Sequence, residues 1–441
     1  MNYERGFILH NSSFIISPVR ILHLLHQFLP EYVGGTELYT QTLAAALQPH
    51  HSNAIFYRLS QAGTGLSQRE EADGLRVWSA WDGLVTPSSR FRATFRDPAI
   101  HHAFAQVLDT FQPDLLHVQH LMGLPASLLT LLRQRDIPYL ITLHDYWWLC
   151  ANAQLLTNYD ETVCDGPNWW LNCGRCAIAR AGRGDSRLLG AGIAPLLAYR
   201  EKLLRPQLHH ARALIAPTRF VQTIYTQLGL TPEQMTVIPH GIELPVSSEQ
   251  LPVTSNQSPS ALSTQHSALR LCYIGGIAPQ KGVHVLIEAV NGLPAGVELL
   301  IGGDMEALPE YAAVLRIQAT HPGIRFLGRL SRDQVWDTLR QSDLLVVPTL
   351  WYETASLIVQ EAFAVGTPVV ASRIGVMPER IRDGIDGRLF EVGNAAALRS
   401  LLHSFIKHPD LLHQLRQGIQ PVFTITQHVT QVERLYDEVI R

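Results

Sequence analysis

Between Leu344 and Val370 the chain reads strand, loop, helix, stop, strand, with a carboxylate placed at the first junction. Leu344–Val347 has the unbroken apolar pattern of a strand buried on both faces. Gly366-Thr367-Pro368 stops a helix, and Val369-Val370 starts the next strand. Glu353 stands between these signals and Glu361 follows eight residues later. In an open α/β sheet, ligands bind outside the carboxyl ends of the strands, where Glu353 falls. If both glutamates share one helix, they lie about 80° apart around its axis and about 12 Å apart along it. Paired glycosidase carboxylates stand much closer. The spacing suits one long ligand touched twice, with the amides of Thr354, Ala355, Ser356 and Leu357 free at a helix start to meet a phosphate.

The same alternation extends over the chain. Val19–Leu25, Leu115–Val118, Tyr139–Leu143 and Leu214–Ala216 read as strands, with a helix over 36–47 capped by Thr36. Residues 244–268 are rich in Pro, Ser, Gln and Thr and interrupt the rhythm. It resumes with strands at Leu271–Ile274, Val297–Ile301, Leu344–Val347 and Val369–Ala371, a helix over Val283–Val290, and a capping box at Ser331–Gln334. Alternating strands and helices predict parallel doubly wound sheets. A length of 441 residues suggests two such domains. We expect an irregular leader over 1–18, a first domain over 19–243, a linker over 244–268 and a second domain over 269–426. An amphipathic helix over 427–441 should pack back on the first domain. The fold class is therefore α/β, with two Rossmann-like domains facing across a cleft, where small molecules bind.

Composition narrows the partners. The formal net charge of −3 provides no positive field for nucleic acid. No apolar run reaches the length of a membrane span. The first residues carry Glu4 and Arg5 and lack a signal-peptide pattern, so a cytoplasmic protein is expected. Peripheral contact with the inner face of the membrane stays open, because a surface helix needs no long apolar run.

Several residues carry the candidate chemistry. Lys281 follows a strand and a proline-containing loop, where it can offer a point charge to a phosphate. Gly34 and Gly35 lie between a strand and a helix and allow close backbone approach to a ligand. Glu37 either contacts an acceptor or serves the helix dipole. His144 and Asp145 end one predicted strand, and His120 ends another; a neutral-range imidazole can donate or accept. No Asp-x-Asp triplet occurs, and amides with Lys281 could meet a phosphate without a metal.

These motifs resemble the family 4 retaining glycosyltransferases of the GT-B fold, over residues 19 to 441. The resemblance is most specific in Gly275–Gly282, Phe326–Gly328, Asp343–Pro348, Glu353-x₇-Glu361-Ala362, Gly366–Val370, Glu379 and Gly387. It implies a nucleotide-diphosphate sugar as donor, a glycan or lipid-linked acceptor, and a role in cell-surface polysaccharide or glycolipid biosynthesis. No cofactor and no catalytic metal are implied. Glu353 would contact the donor sugar and Glu361 the ribose. His144 would hydrogen-bond the sugar near its reacting carbon, and Glu37, His120 and Asp145 would face the acceptor. One departure stands out: the family often has an arginine where this chain has Gly276. The implied mechanism uses a donor phosphate oxygen to take the acceptor proton. Two alternatives remain, a sugar-nucleotide epimerase of the same fold and a decayed donor-binding scaffold subunit.

Cys150, Cys164, Cys173 and Cys176 lie in an insertion over about 146–185 that is rich in Trp and Gly. One Cys-x₂-Cys arm is half of a typical four-thiolate zinc site. A structural zinc and packed free thiols are both expectations here, and a reducing cytosol disfavours disulfides.

Overall fold

The computed structural model describes residues 18–245 and 269–441. Apart from residues 18, 244 and 245, the expected leader and linker lie outside the described residues. Eight strands form the first sheet: β1 (Arg20–Leu25), β2 (Ser52–Arg58), β3 (Thr64–Glu70), β4 (Arg76–Asp82), β5 (Leu115–Val118), β6 (Tyr139–Thr142), β7 (Ala213–Ala216) and β8 (Met235–Val237). Their order is β3-β4-β2-β1-β5-β6-β7-β8, parallel throughout except for the antiparallel edge strand β3. The second sheet holds β9 (Leu269–Ile274), β10 (Val297–Gly302), β11 (Ile324–Gly328), β12 (Leu344–Val347), β13 (Val369–Ser372) and β14 (Gly387–Phe390). Its order is β11-β10-β9-β12-β13-β14, all parallel.

Strand order reverses at β1/β5 in one sheet and at β9/β12 in the other, which opens a crevice at each carboxyl edge. The central strands are buried on both faces because helices cover both sides, so β5, β6, β12 and β13 read as continuous apolar runs. The final helix, Ile425–Ile440, starts with a Thr424/Gln427 capping box. It lays Val429, Val432, Leu435, Tyr436 and Val439 against Tyr39, Leu43 and Leu47 of helix Gly35–Leu47 and against the first sheet. Helix Ile425–Ile440 is thereby tied to helix Gly35–Leu47.

Two helix starts differ from expectation. Helix Gly35–Leu47 has Gly34 as its N-cap, not Thr36, and no side chain caps it. Thr36 lies inside the first turn, and its carbonyl accepts from Thr40 Oγ1 at 2.7 Å. The helix after β12 begins only at Leu357, because Ser356 adopts a left-handed φ of 50°. Glu353 therefore sits on the preceding loop, and the one-helix geometry for Glu353 and Glu361 does not apply.

Candidate functional site

A cavity of about 330 Å³ lies between the two carboxyl edges. The first sheet's half contributes Gly35, Thr36, His144 and His240; the second contributes Tyr273, Gly275, Lys281, Thr349, Trp351 and the run Glu353–Ile358. A larger hollow of about 490 Å³, near Leu66, Trp78 and Gln106, has Asp109 as its one ionisable lining group. Converging charge, not volume, distinguishes the first cavity.

Glu353 is the centre of that convergence. Its Oε1 accepts from Lys281 Nζ at 2.7 Å, Trp351 Nε1 at 2.9 Å and Thr349 Oγ1 at 3.4 Å. The Lys281 ammonium also lies 5.1 Å from the Trp351 ring centroid, within cation–π range. Three donors on one oxygen fix the carboxylate and leave Oε2 for a ligand hydroxyl. Lys281 reaches this point because Gly282 has φ +71°, and a Cβ there would lie 1.9 Å from the Pro348 carbonyl oxygen. Only glycine lets the loop after β9 press on the end of β12.

Amides surround the charges. Helix Gly35–Leu47 has no side-chain cap, and its Gly35 and Thr36 line the cavity. Helix Leu357–Ala364 likewise has no side-chain cap, and Ser356 and Leu357 line the cavity opposite. Each uncapped start offers N–H groups and the positive end of a helix dipole to an anion.

His144 Nε2 donates to Gln119 Oε1 at 2.8 Å, so Nδ1 is the acceptor. Gln119 Nε2 in turn donates to His23 Nδ1 at 3.3 Å. Burial, then the neighbouring His120, pushes the His144 pKa down to about 3, so the imidazole is neutral. The backbone oxygen of His144 accepts from Thr354 Oγ1 at 2.7 Å, which links the two halves beside the cavity. Glu379 strengthens that link by accepting from the Arg219 and Phe220 amides at 3.0 and 2.8 Å.

The expected acceptor-side residues form a neighbouring cluster. His120 Nε2 donates to Asp145 Oδ2 at 2.9 Å, since its Nδ1 accepts from the Met122 amide. Its ring lies 4.3 Å from that of His26, whose Nε2 is 3.9 Å from Glu37 Oε1. Glu37 is buried, and burial raises its carboxyl pKa. Glu37 Oε1 and His26 Nδ1 both lack hydrogen-bond partners.

Other expected residues stand apart. Glu361 is buried and does not line the cavity; its Oε1 accepts from Arg332 Nη1 at 2.7 Å. Gly34 lies behind Gly35, where a Cβ would meet Glu37 Oε2 at 2.6 Å. Gly276 is also outside the lining, and a Cβ there would meet nothing within 4 Å.

Among the described residues, no group of three or more His, Cys, Asp or Glu side chains is arranged to hold a metal. The four cysteines form no disulfide. Cys176 Sγ accepts from both Asn158 nitrogens, at 3.3 and 3.2 Å, while Cys164 Sγ donates to Gly166 O at 3.4 Å. Burial, then the neighbouring cysteines, pushes the Cys173 thiol up to about 12, and burial pushes that of Cys176 up to about 11.

Sequence reasoning missed His240, Trp351 and Gln119. His240 lines the cavity, stacks 4.2 Å from Tyr39, and has a buried Nε2 without a partner. The Pro239-His240-Gly241 run just after β8 was the available signal.

The two facing parallel sheets are those of the GT-B glycosyltransferases. HepE from Anabaena, in complex with UDP and glucose, superposes with a TM-score of 0.65 at 18% identity, over 95% of this chain and all of that one. At that identity the likeness is one of fold. Residues 33–245 match the model described as Glycosyltransferase Family 4, and residues 257–420 match Glycosyl transferases group 1. The chain belongs to the family 4 glycosyltransferases. Phosphatidyl-myo-inositol mannosyltransferase of Mycobacterium leprae is 33% identical over 170 residues, 36% of this chain and 44% of that protein. Glycogen synthase of Mycobacterium tuberculosis is 26% identical over 401 residues, 87% of this chain and 86% of that protein. The chain spans about half the length of the first two curated relatives it matches, 47% and 44%.

Proposed function

We propose that the protein is a retaining, metal-independent glycosyltransferase. It moves a sugar from a nucleotide-diphosphate donor to a glycan or lipid-linked acceptor in cell-surface polysaccharide or glycolipid biosynthesis. The observation that carries this reading is the Lys281–Glu353 pair at 2.7 Å, set in a cavity with uncapped helix starts on both sides. Glu353 Oε2 takes a sugar hydroxyl. Lys281 and the amides of Ser356 and Leu357 hold the diphosphate. Charge grows on the leaving phosphate during transfer, and fixed donors aimed at it lower the barrier. Neutral His144 accepts a sugar hydroxyl at Nδ1, and Glu37, His120 and Asp145 border the acceptor's approach. A donor phosphate oxygen takes the acceptor proton on the face the leaving group vacates, so anomeric configuration is kept. Glu361 stands outside the cavity lining, with Oε1 paired to Arg332, and meets a donor ribose through Oε2 once the cleft closes on the donor. The reading is supported by the family membership and by solved relatives that hold UDP and glucose.

A panel of UDP-, GDP- and ADP-sugars, screened by thermal shift, identifies the donor, because a ligand bound to the folded state raises Tm. With that donor, Glu353→Gln should reduce transfer by roughly a thousandfold or more with Tm preserved. Unchanged transfer would place the site elsewhere. NMR of the product tests configuration; an inverted linkage rejects the mechanism. Conversion of donor without acceptor would favour an epimerase.

A further inference from the structure

The cysteine-bearing insertion and the helix after it expose an unusual amount of apolar surface. Helix Arg187–His210 contains no charged residue from Leu188 to Tyr199. Its inner face is spent: Gly190, Ala194 and Leu197 are buried, and a Cβ on Gly174 of helix Leu171–Arg180 would lie 2.0 Å from Gly190 O. The outer face is not covered. Leu188 is 89% exposed, Tyr199 55%, Leu189 50% and Leu196 44%. Trp169 and Leu171, at the start of the neighbouring helix, are 82% and 53% exposed. Positions 188, 192, 196 and 199 fall at helical spacing, so this is one continuous stripe. Scattered exposed leucines need no explanation, but exposed apolar residues aligned on one helix face, beside those of the helix packed against it, mark an interaction surface.

Its rim is basic. Arg183 and Arg187 are exposed at one end. Phe95 stacks on Tyr199 at 5.8 Å, which brings exposed Arg92 and Arg96 to the other. None of these four arginines has a carboxylate within ion-pair distance among the described residues; nearby Asp185 is taken by Arg175. An apolar ridge with an indole at its edge and guanidinium groups around it fits a bilayer interface, where side chains of this kind bury apolar bodies and keep charge at the headgroups. No described helix is long and apolar enough to cross a membrane, so the mode is surface attachment.

The ridge also has a fixed relation to the cavity. Arg200 of the ridge helix donates to Trp147 O at 2.6 Å, and the Trp147 ring lies 5.6 Å from that of His120 in the acceptor-side cluster. We infer that the ridge formed by Trp169, Leu171, Leu188, Leu189, Leu196 and Tyr199 docks the protein on an anionic lipid surface. Resting on the transferase reading, this makes the acceptor lipid-linked, with the sugar-bearing headgroup entering past the insertion.

Flotation of the full chain with vesicles tests the docking. Vesicles of phosphatidylcholine with phosphatidylglycerol should bind it, and phosphatidylcholine alone should bind it less. The pair L188E/L196E should weaken binding at least about tenfold, with the circular dichroism spectrum and donor-induced Tm shift unchanged. R183E/R187E, which spares the leucines, should remove the preference for phosphatidylglycerol. Failure to float with anionic vesicles, or equal flotation of L188E/L196E, overturns the inference. A lipid-free dimer that the leucine variant dissociates also overturns it, because the ridge then belongs to a second copy. Vesicle binding without any nucleotide-sugar Tm shift upholds docking and sinks the transferase reading instead.

Discussion

At the residue scale, the cavity is organised by a carboxylate oxygen that is already saturated. Glu353 Oε1 takes Lys281, Trp351 and Thr349. Under the proposed function, Lys281 serves two anions when a diphosphate binds, and this divides its charge. Gly276 bears on the same balance. The position is open, with nothing within 4 Å of a built Cβ, and its φ does not demand glycine. An arginine there can enter without displacing packing and would add charge-assisted hydrogen bonds to the donor. Gly276→Arg should tighten donor binding roughly tenfold, read as a lower Kd for the nucleotide sugar by calorimetry. A Kd that stays the same or rises would show that the diphosphate lies away from residue 276. The legibility of this site in the sequence divides along the same line. Glu353 and Lys281 were readable because each adjoins a strand end. Trp351 and Gln119 were not, since their roles depend on distances between chain segments. His240 was hidden among 20 histidines of similar appearance.

At the element scale, loops set the geometry and helices supply the amides. Strands β5, β9, β12 and β13 were legible as apolar runs because both of their faces are covered. Strand β3 was not, because it is an exposed edge strand with a polar sequence. Helix starts misled for a different reason. Thr36 and the segment after Glu353 have reasonable helix-start composition, yet backbone turns move both starts: Gly34 caps the first, and left-handed Ser356 delays the second. Such turns answer to tertiary contacts that composition does not encode. The Gly282 turn is the strictest of these contacts. Alanine there must hold a φ near +71° and also push back the Pro348 carbonyl, 1.9 Å from its Cβ. Gly282→Ala should cost on the order of 2–4 kcal/mol and lower Tm by several degrees. Because Lys281 adjoins the turn, donor KM should also rise. An unchanged KM in the folded variant would separate the turn from donor binding.

At the scale of the whole molecule, a file of buried imidazoles joins the first sheet to the returning C-terminal helix. His117 Nδ1 meets Tyr436 Oη at 2.7 Å, and Tyr39 Oη meets His428 Nε2 at 2.9 Å. His428 Nδ1 donates to Pro239 O at 2.7 Å. His23, His144 and His240 continue the file toward the cavity. Burial is the first cause that lowers the pKa of each, to about 4 for His23 and His428 and well below the ordinary value for His117 and His240. The sign follows from the reference state. Unfolded, these imidazoles take a proton near pH 6.5; folded, His23 and His428 stay neutral to about pH 4, and burial likewise holds His117 and His240 neutral well below the ordinary value. Their stabilising effect is therefore complete above about pH 6.5 and is lost as pH falls through that value toward the folded ones, by up to about 1.4 kcal/mol per pH unit for each imidazole. The urea midpoint should drop steeply between about pH 7 and about pH 5, with net proton uptake on unfolding. The C-terminal helix is held to the first sheet by His117 and His428, so a tryptic site in that helix should open in the same range. A urea midpoint that is flat across the range would mean these imidazoles are already charged in the folded protein. Both hydrogen-bonded nitrogens of His428 argue against that, because a second proton would leave nothing on Nε2 to accept from Tyr39.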